Sequence, residues 1–441
     1  MTLLHHQEGH EGTPTSLRRC SGHAFLPRVG CCVAIGKLDQ GVILNEVKNL
    51  DRLSGYKRRD PSAESILSVA EGPQDDIATR SLAGEGEGGG WSRLRRAALL
   101  CAFLFSVAAP LWSGQPDDPL KAALELHESG KVKEALQEYD KVIKAQPKLA
   151  EAYFNRGNAY YDLEQYQQAI RDYGQAIRLN PKDAEAYYNR GNAYRRLKQD
   201  PAALNDYSAA IKLNQDDARS YTNRGSIHFG ARRYEAAVKD FSEAIRIDPT
   251  DAQSYYNRGN SYLALDKKQE AITDYDAALS RDSRLAEAHY NRGIAYADSG
   301  KYDSAIRDFD EVIRLNPKSA EALYNRGLAK MKISKYEEAI EDYSEAMRIN
   351  PKDPEAPFNR GLAHLRIDKY DYAARDFSEV IIMQPKNADA YVYRGIIRTY
   401  QNRDKDADAD FQKAFQLNPA LKKKLQPIID EAKAKAKAQA K

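Results

Sequence analysis

The chain has 441 residues, enough for several domains of ordinary size. Its formal net charge of +3 excludes the strongly basic class of nucleic-acid-binding proteins. The 30% of charged and 42% of hydrophobic residues are ordinary for a soluble protein. Tyrosine is the exception in this composition, with 28 copies against 11 Phe and 2 Trp. Such a surplus requires a repeated structural cause.

The four cysteines lie in the first quarter of the chain, at Cys20, Cys31, Cys32 and Cys101. The rest of the chain can therefore form no disulfide and no thiolate metal site. Cys31 and Cys32 are adjacent, which is poor geometry for a single bridge between them. A zinc site built from these cysteines and the early histidines would lack paired C-x-x-C spacing. We therefore predict no metal site and no cofactor.

Residues 1–92 show no sustained helical or strand period, and they include a glycine-rich run from Gly84 to Gly90. Such a composition is typical of flexible linkers. We predict that this region is either disordered or an over-extended reading frame that is absent from the mature protein. A small folded domain is the alternative.

Residues 93–115 combine a basic flank with an apolar run. Arg93, Arg95 and Arg96 precede twenty uncharged residues, from Ala97 to Pro116. This pattern resembles a secretory signal peptide, and a translation start near residue 90 is one explanation of its place far from residue 1. A membrane anchor is the alternative. We predict a protein that is exported (periplasmic or extracytoplasmic) or membrane-anchored, and cytoplasmic if this segment is not used.

From about residue 116 the sequence repeats with a period of 34 residues. The triplet Asn-Arg-Gly marks this period, and a further copy reads Tyr393-Arg394-Gly395. A fixed period of this length indicates a stacked array of similar structural units. The triplets begin at Asn155, Asn189, Asn223, Asn257, Asn291, Asn325 and Asn359.

We number positions within each repeat from starts at 116, 150, 184, 218, 252, 286, 320, 354 and 388. Position eight is Gly except for Ala123 in the first repeat, position twenty is Ala, and position twenty-four is aromatic. Glycine inside a helix costs roughly 1 kcal/mol relative to alanine, so its recurrence needs a reason. Small residues at positions eight and twenty would let two facing helices approach closely, while the aromatic residue would interdigitate with the next repeat.

These positions resemble the tetratricopeptide repeat family, and the resemblance covers nine repeats over residues 116–421. It implies an all-α fold, a right-handed superhelical solenoid of nine 34-residue helix-turn-helix repeats with a concave binding face. With the apolar segment before it, the chain resembles a bacterial exported or membrane-anchored member. Residues 422–441 should form a capping helix with a basic tail, because a repeat array needs a polar end.

Opposite charges recur in the eight later repeats. Position seven is always Arg and position twenty-three is always Asp, which predicts a ladder of bidentate Arg–Asp pairs in which each Asp also meets an arginine of a neighbouring repeat. Binding of an acidic partner by these arginines is the alternative. The arginines are Arg156, Arg190, Arg224, Arg258, Arg292, Arg326, Arg360 and Arg394. The aspartates are Asp172, Asp206, Asp240, Asp274, Asp308, Asp342, Asp376 and Asp410.

In the family, positions two, five, nine, twelve and thirteen line the concave face. Position five is mainly aromatic here, and position nine changes from polar in early repeats to apolar in late ones. A bound peptide could form main-chain hydrogen bonds with the asparagines; packing of the groove as consensus residues is the alternative. The predicted partner-binding residues are Phe154, Asn158, Tyr188, Asn192, Tyr256, Asn260, Tyr290, Tyr324 and Phe358.

The sequence contains no catalytic motif, whether a phosphate-binding glycine loop, a metal-binding histidine pair or a nucleophile motif. Position five lacks the Lys of repeats that clamp acidic chaperone tails, so that function is not expected. We predict a non-catalytic scaffold that binds a protein or peptide and no nucleic acid, and that meets a membrane only through residues 93–115. An accessory subunit or self-assembling component of an envelope-associated complex is the alternative.

Overall fold

The computed structural model describes residues 119–439, and the regular elements among them are α-helices. The predicted N-terminal region (1–92) and the predicted export segment (93–115) lie outside the described residues, so export and anchoring stay predictions. Between residues 119 and 439, no helix has the length and apolar character needed to cross a membrane.

The described chain divides into two compact units, residues 119–224 and 225–439, and the boundary falls inside helix α7 (Ala218–Gly230). The first unit contains α1 (Pro119–Glu128), α2 (Val132–Ala145), α3 (Ala150–Asp162), α4 (Tyr166–Leu179), α5 (Ala184–Arg196) and α6 (Asp200–Leu213). The second contains α8 (Tyr234–Ile247), α9 (Ala252–Ala264), α10 (Lys268–Arg281), α11 (Ala286–Asp298), α12 (Tyr302–Leu315), α13 (Ala320–Lys332), α14 (Tyr336–Ile349), α15 (Glu355–Arg366), α16 (Tyr370–Met383), α17 (Ala388–Tyr400), α18 (Asp404–Leu417) and α19 (Pro419–Gln439).

Helices pack in chain order within each unit. Each helix contacts the next one along the chain, and first helices of successive repeats also touch, as α3 does with α5 and α11 with α13. This is the arrangement of a helical-repeat solenoid, so the all-α fold class is confirmed. The helix starts at Ala150, Ala184 and Ala252 coincide with the predicted repeat starts. The number of repeats, nine, and the right-handed sense of the superhelix remain predictions from the sequence.

Each first helix ends in a tight turn that requires one left-handed residue, at position fifteen. In the second repeat this residue is Glu164, with φ 58°, and the N–H of Gln165 donates to the carbonyl of Tyr160 at 2.8 Å. Such a bond satisfies a carbonyl that the helix end would otherwise leave open. Only two repeats place glycine here, at Gly130 and Gly300, although the conformation costs other residues about 1 kcal/mol.

The corner between repeats is closed by an Asn or Asp that follows the second helix. The side chain of Asn180 accepts a hydrogen bond from the N–H of Lys182, and Pro181 between them cannot continue the helix. Asp183 then caps the next helix by accepting from the N–H of Ala186 at 3.1 Å. This short polar sequence therefore ends one helix and starts the next.

The recurrent glycine at position eight lies against the aromatic ring at position twenty-four of its own repeat. A Cβ added to Gly157 would lie 2.8 Å from Cδ1 of Tyr173, and one added to Gly327 would lie 2.8 Å from Cε1 of Tyr343. The nearest neighbour of the glycine is therefore the ring.

The predicted approach of position eight to position twenty is also present, since a Cβ on Gly259 would lie 3.3 Å from the backbone oxygen of Ala271. The predicted contact of the ring with the next repeat is confirmed as well: Tyr173 packs with Ala193, and the ring of Phe377 stacks on that of Tyr393 at 5.2 Å.

The last helix, α19, begins at Pro419, three residues before the predicted start of the cap at residue 422. Leu421, Leu425 and Ile429 are buried, and they join the apolar cluster that contains Phe411 and Phe415 of α18. The apolar residues of the predicted cap therefore cover the end of the repeat array.

Substitution by alanine should change the free energy of unfolding in opposite directions at two glycines of the same repeat. Gly157→Ala should lower the free energy of unfolding by about 1–3 kcal/mol, because its Cβ would overlap the ring of Tyr173. Gly174→Ala should raise it by about 0.5–1 kcal/mol, because the nearest atom, Nη1 of Arg190, would be 3.6 Å away and helix propensity improves. Urea unfolding followed by circular dichroism measures both; a stable Gly157→Ala protein would contradict the ring–glycine contact.

Candidate functional site

The Arg–Asp ladder lies between the two helices of each repeat. Seven of the eight predicted pairs have both members in one compact unit, and in all seven the arginine donates through Nε and Nη2 at 2.5–3.2 Å. The carboxylates are 4–9% exposed. The hydrogen bonds that Arg156 donates to Asp172 are the main cause that raises the pKa of Arg156. These bidentate pairs hold the two helices together, so the guanidinium groups do not face open solvent as free ligands for an acidic partner.

The contacts of the ladder between repeats differ from the prediction. The predicted neighbour contact joined each Asp to a second Arg, whereas the third guanidinium nitrogen, Nη1, instead donates to position twenty-five of the preceding repeat. Arg156 meets Asp140 in this way at 2.6 Å, and Arg258 meets Ser242 at 3.1 Å. One planar guanidinium has enough donors to contact both groups at once, which is why the arginine rather than the carboxylate joins the repeats.

The predicted aromatic residues of the binding face are also part of the packing. Each ring at position five lies against the ring at position twenty-four of the same repeat. The centroid distances are 5.4–6.1 Å for Phe154, Tyr188, Tyr256, Tyr290, Tyr324 and Phe358. Only their outer edges remain for a partner, since Phe358 is 7% exposed and the others are half-buried.

The predicted asparagines are fixed by a network that sequence reasoning missed. Oδ1 of Asn158 accepts hydrogen bonds from the hydroxyl of Tyr173 at 2.7 Å and from Nδ2 of Asn189, in the next repeat, at 3.2 Å. Asn192 and Asn260 are held in the same way by their tyrosine and by the next Asn. The asparagine of the Asn-Arg-Gly triplet therefore ties neighbouring first helices together.

The network also decides which way these amides point. Because two donors meet Oδ1 of Asn158 and of Asn192, the hydrogen-bond pattern assigns the oxygen to the interior and the NH₂ group to the outside. Among residues 119–439, neither NH₂ group has a hydrogen-bond partner, and both side chains are half-buried on the first-helix face. This part of the face therefore presents donors.

Positions nine and twenty-four vary together along the chain. Where position nine is Asn158, Asn192 or Asn260, the ring is Tyr; where it is Ile294, Leu362 or Ile396, the ring is Phe. Repeats one and seven combine Leu with Tyr, and among the tyrosines at position twenty-four the buried hydroxyls of Tyr139 and Tyr343 lack a partner within the described chain. The polarity of position nine is therefore coupled to the interior and is not set by a ligand alone.

Two pockets occupy equivalent places in different repeats. The pocket of repeats one to three has a volume of about 520 Å³ and is polar; in it, Nε2 of His127 contacts Oδ2 of Asp162 at 2.9 Å. The pocket of repeats six and seven, about 300 Å³, is more apolar. The polar pocket is lined by His127, Glu128, Asn158, Tyr161, Asp162, Tyr173, Asn189 and Asn192. The apolar pocket is lined by Lys268, Ile294, Ala297, Asp298, Tyr302, Phe309, Asn325, Leu328, Ala329 and Lys332.

A groove residue that the sequence analysis did not select is Arg195, at position twelve. Its Nη1 donates to Oδ1 of Asn223 at 3.0 Å. Burial raises the pKa of Tyr207, and the positive charge of Arg195 opposes this rise. Position twelve was assigned to the concave face, so a charged residue there among mostly apolar and aromatic ones was the signal that could have identified it.

The buried histidines of the second unit contact the ladder. Nδ1 of His289 lies 3.1 Å from Asp308, and Nδ1 of His364 lies 2.9 Å from Asp376. Lys330 contacts Asp342 similarly, at 2.9 Å. These basic groups act as second partners of buried carboxylates. Among residues 119–439, no three His, Cys, Asp or Glu side chains are arranged to hold a metal ion.

The two carboxylates around Arg156 should differ in their contribution to stability. Asp172→Asn should lower the free energy of unfolding by about 3 kcal/mol, because it leaves a largely buried guanidinium without its bidentate partner. Asp140→Asn, at a carboxylate that is 60% exposed, should cost less than about 1 kcal/mol. Urea unfolding compares the two; equal losses would contradict the structural role of the ladder.

Substitution by phenylalanine should also have different effects on the free energy of unfolding at two tyrosines that occupy position twenty-four. Tyr139→Phe should leave the free energy of unfolding at neutral pH unchanged or raise it by up to about 1 kcal/mol, because its buried hydroxyl has no partner between residues 119 and 439. Tyr173→Phe should lower it by about 1 kcal/mol, because it loses the hydrogen bond to Asn158.

The pH dependence of Tyr139→Phe provides a second readout. Burial raises the pKa of Tyr139 from 10.0 to about 12. Since the unfolded phenol ionises first, the neutral ring stabilises the fold below about pH 10, and this contribution is lost as the pH rises through about 12. The urea concentration at the midpoint of unfolding should therefore decrease less from neutral pH to about pH 11 in Tyr139→Phe than in the unchanged chain. An equal decrease in both proteins would contradict the raised pKa of Tyr139.

Comparison with known proteins agrees with this geometry. A family model described as "TPR repeat" matches residues 123–164, 157–198, 191–230 and 233–266. A second, described as "Tetratricopeptide repeat", matches 256–306, 292–354 and 358–420. No curated protein matches the chain.

Solved structures of repeat proteins resemble parts of the chain. YrrB, "a TPR protein with an unusual peptide-binding site", is 26% identical, with a TM-score of 0.39 over 42% of this chain and 95% of YrrB. MamA from Desulfovibrio magneticus RS-1 is 24% identical, with a TM-score of 0.37 over 38% of this chain and 96% of MamA. The C-terminal part of a TPR repeat-containing protein from Cytophaga hutchinsonii is 19% identical, with a TM-score of 0.46 over 54% and 97%. The family models together match most of residues 123–420, and the chain belongs to the tetratricopeptide repeat family.

Proposed function

We propose that the chain is a non-catalytic scaffold whose first-helix face binds an extended peptide segment of a partner protein. Tetratricopeptide repeats indicate a protein–protein interaction scaffold. The observation that carries the finer proposal is the fixed orientation of Asn158 and Asn192, whose NH₂ groups face outwards and have no partner within residues 119–439.

Donors of this kind suit the main chain of a peptide. An extended peptide presents a carbonyl oxygen at every residue, and each half-buried NH₂ group can donate to one of them. The amides are already held in place by Tyr173 and Tyr207, so little side-chain freedom is lost when a ligand binds. Recognition of carbonyls does not depend on the peptide sequence, so specificity must come from side chains.

The pocket of repeats six and seven supports the same occupant. Ile294, Phe309 and Leu328 line a space of about 300 Å³, which fits an aliphatic or aromatic side chain. Burial of such a side chain is favourable by about 1.5–3 kcal/mol. A peptide that places an apolar side chain here would therefore gain affinity from the late repeats as well.

The test is selection of peptides from a random display library on the full-length chain, followed by measurement of Kd for synthetic peptides by fluorescence anisotropy. Asn158→Asp keeps an oxygen that accepts from Tyr173 and Asn189 but removes the outward donor. We expect this variant to bind the selected peptides about tenfold more weakly, because a carboxylate would face the peptide carbonyl.

Gln167→Glu is the matched control, since Gln167 is exposed on α4 and the change also adds one negative charge. Its Kd should equal that of the unchanged chain, and thermal melts should show that both variants are folded. If the full-length chain retains no peptide from the library, the proposed function is contradicted. If Asn158→Asp and the unchanged chain bind the peptides with equal affinity, the peptide does not contact Asn158.

A further inference from the structure

Arg195 belongs to a hydrogen-bonded network in the first compact unit. Its Nη1 donates to Oδ1 of Asn223 at 3.0 Å, so that Asn223 joins it to the amide of Asn192. The Tyr207 hydroxyl and Nδ2 of Asn223 in turn donate to Oδ1 of Asn192, at 2.7 and 3.0 Å. The network therefore fixes the guanidinium and the Asn192 amide side by side.

Every partner of Arg195 in this network is neutral. Between residues 119 and 439, no carboxylate lies within 4.0 Å of its guanidinium, although the side chain is half-buried. The neighbouring arginines do have carboxylates: Arg196 lies 3.8 Å from Glu164, and Arg219 lies 2.7 Å from Glu185. A fixed, partly desolvated cation without a counter-charge is costly on its own, and an anionic ligand would offset that cost.

The outer side of the network is rich in donors. Oδ1 of Asn192 is occupied by two donors, and Oδ1 of Asn223 accepts one hydrogen bond, from Arg195. What remains for a ligand is the NH₂ group of Asn192 and the free N–H groups of the guanidinium. These are adjacent donors with one positive charge, which matches a group with two acceptor oxygens and one negative charge.

We propose that Arg195 and Asn192 form a subsite for one carboxylate side chain, Asp or Glu, of the bound peptide. This inference rests on the proposed function, since it names a residue that the partner must place at the third repeat. A phosphate group shares the oxyanion chemistry but has a charge of about −1.5 to −2, which a single guanidinium would leave partly uncompensated. The subsite is therefore assigned to a carboxylate.

The experiment is a double-mutant cycle between the full-length chain and peptides from the display selection. The unchanged chain should enrich peptides with Asp or Glu at one fixed position. Exchange of that residue for its amide should weaken binding to the unchanged chain about tenfold or more, which corresponds to loss of one charge-assisted hydrogen bond. The same exchange should change binding to Arg195→Gln by less than about twofold.

Arg178→Gln is the matched control, because Arg178 is exposed on α4 and pairs only with Gln175, so the variant loses the same charge outside the groove. It should respond to the peptide exchange as the unchanged chain does. Thermal melts verify the folding of both variants, and Arg195→Lys should restore part of the coupling. A peptide with phosphoserine at the acidic position should bind more weakly than the Asp or Glu peptide.

The outcomes separate the two proposals. Peptides that bind without any preferred acidic position, equal effects of the exchange on the unchanged chain and on Arg195→Gln, or tighter binding of the phosphoserine peptide would each overturn the carboxylate subsite and leave the scaffold function standing. If the full-length chain retains no peptide at all, the proposed function is overturned, and the carboxylate subsite is overturned with it.

Discussion

In the eight repeats that have glycine at position eight, its contact with the aromatic ring at position twenty-four determines the rest of the repeat. Because Gly157 has no Cβ, the ring of Tyr173 lies directly on the first helix, within 3 Å of where that Cβ would be. At this depth the phenolic hydroxyl reaches Asn158, and the ring also packs against Phe154. A larger residue at position eight would move the ring outwards and break both contacts. The space at one backbone atom thus fixes the polar network at the next residue of the helix.

Two polar systems then join the repeats, and they do so on different principles. In the ladder, one arginine contacts a buried carboxylate of its own repeat and an exposed acceptor of the preceding one, as Arg156 does with Asp172 and Asp140. In the amide network, Asn158 receives a donor from its own repeat and another from the next, Asn189. Both systems pair polar groups through neighbouring repeats, which is how the array satisfies donors and acceptors that a single repeat would leave unpaired.

The sequence period predicted the helices well because apolar and small residues recur at fixed positions, and it predicted the Arg–Asp pairs because opposite charges recur together. It did not reveal the left-handed turn residue, since Glu164 and Lys198 have the same backbone conformation there as Gly130 and give no glycine signal. It also concealed the role of the triplet asparagines. A residue present in seven successive repeats resembles a mere marker of the period, and only the coordinates show that Asn189 reaches the preceding repeat. Arg195 was missed for the opposite reason, because no other repeat has arginine at that position.

The coupling of positions nine and twenty-four has a consequence for how a binding face of this kind can change. An Asn at position nine is stabilised by a tyrosine hydroxyl, so exchange of that Asn for Leu leaves the hydroxyl buried without a partner, as with Tyr343 and Leu328. Exchange of the tyrosine for Phe removes this cost, and the repeat that contains Ile294 and Phe309 has an apolar residue at position nine together with Phe at position twenty-four. The donor-rich early face and the apolar late face are therefore alternative solutions to the same interior constraint. Within a donor-rich repeat, specificity can then be added at position twelve, where Arg195 brings charge without disturbing the ring, the glycine or the ladder.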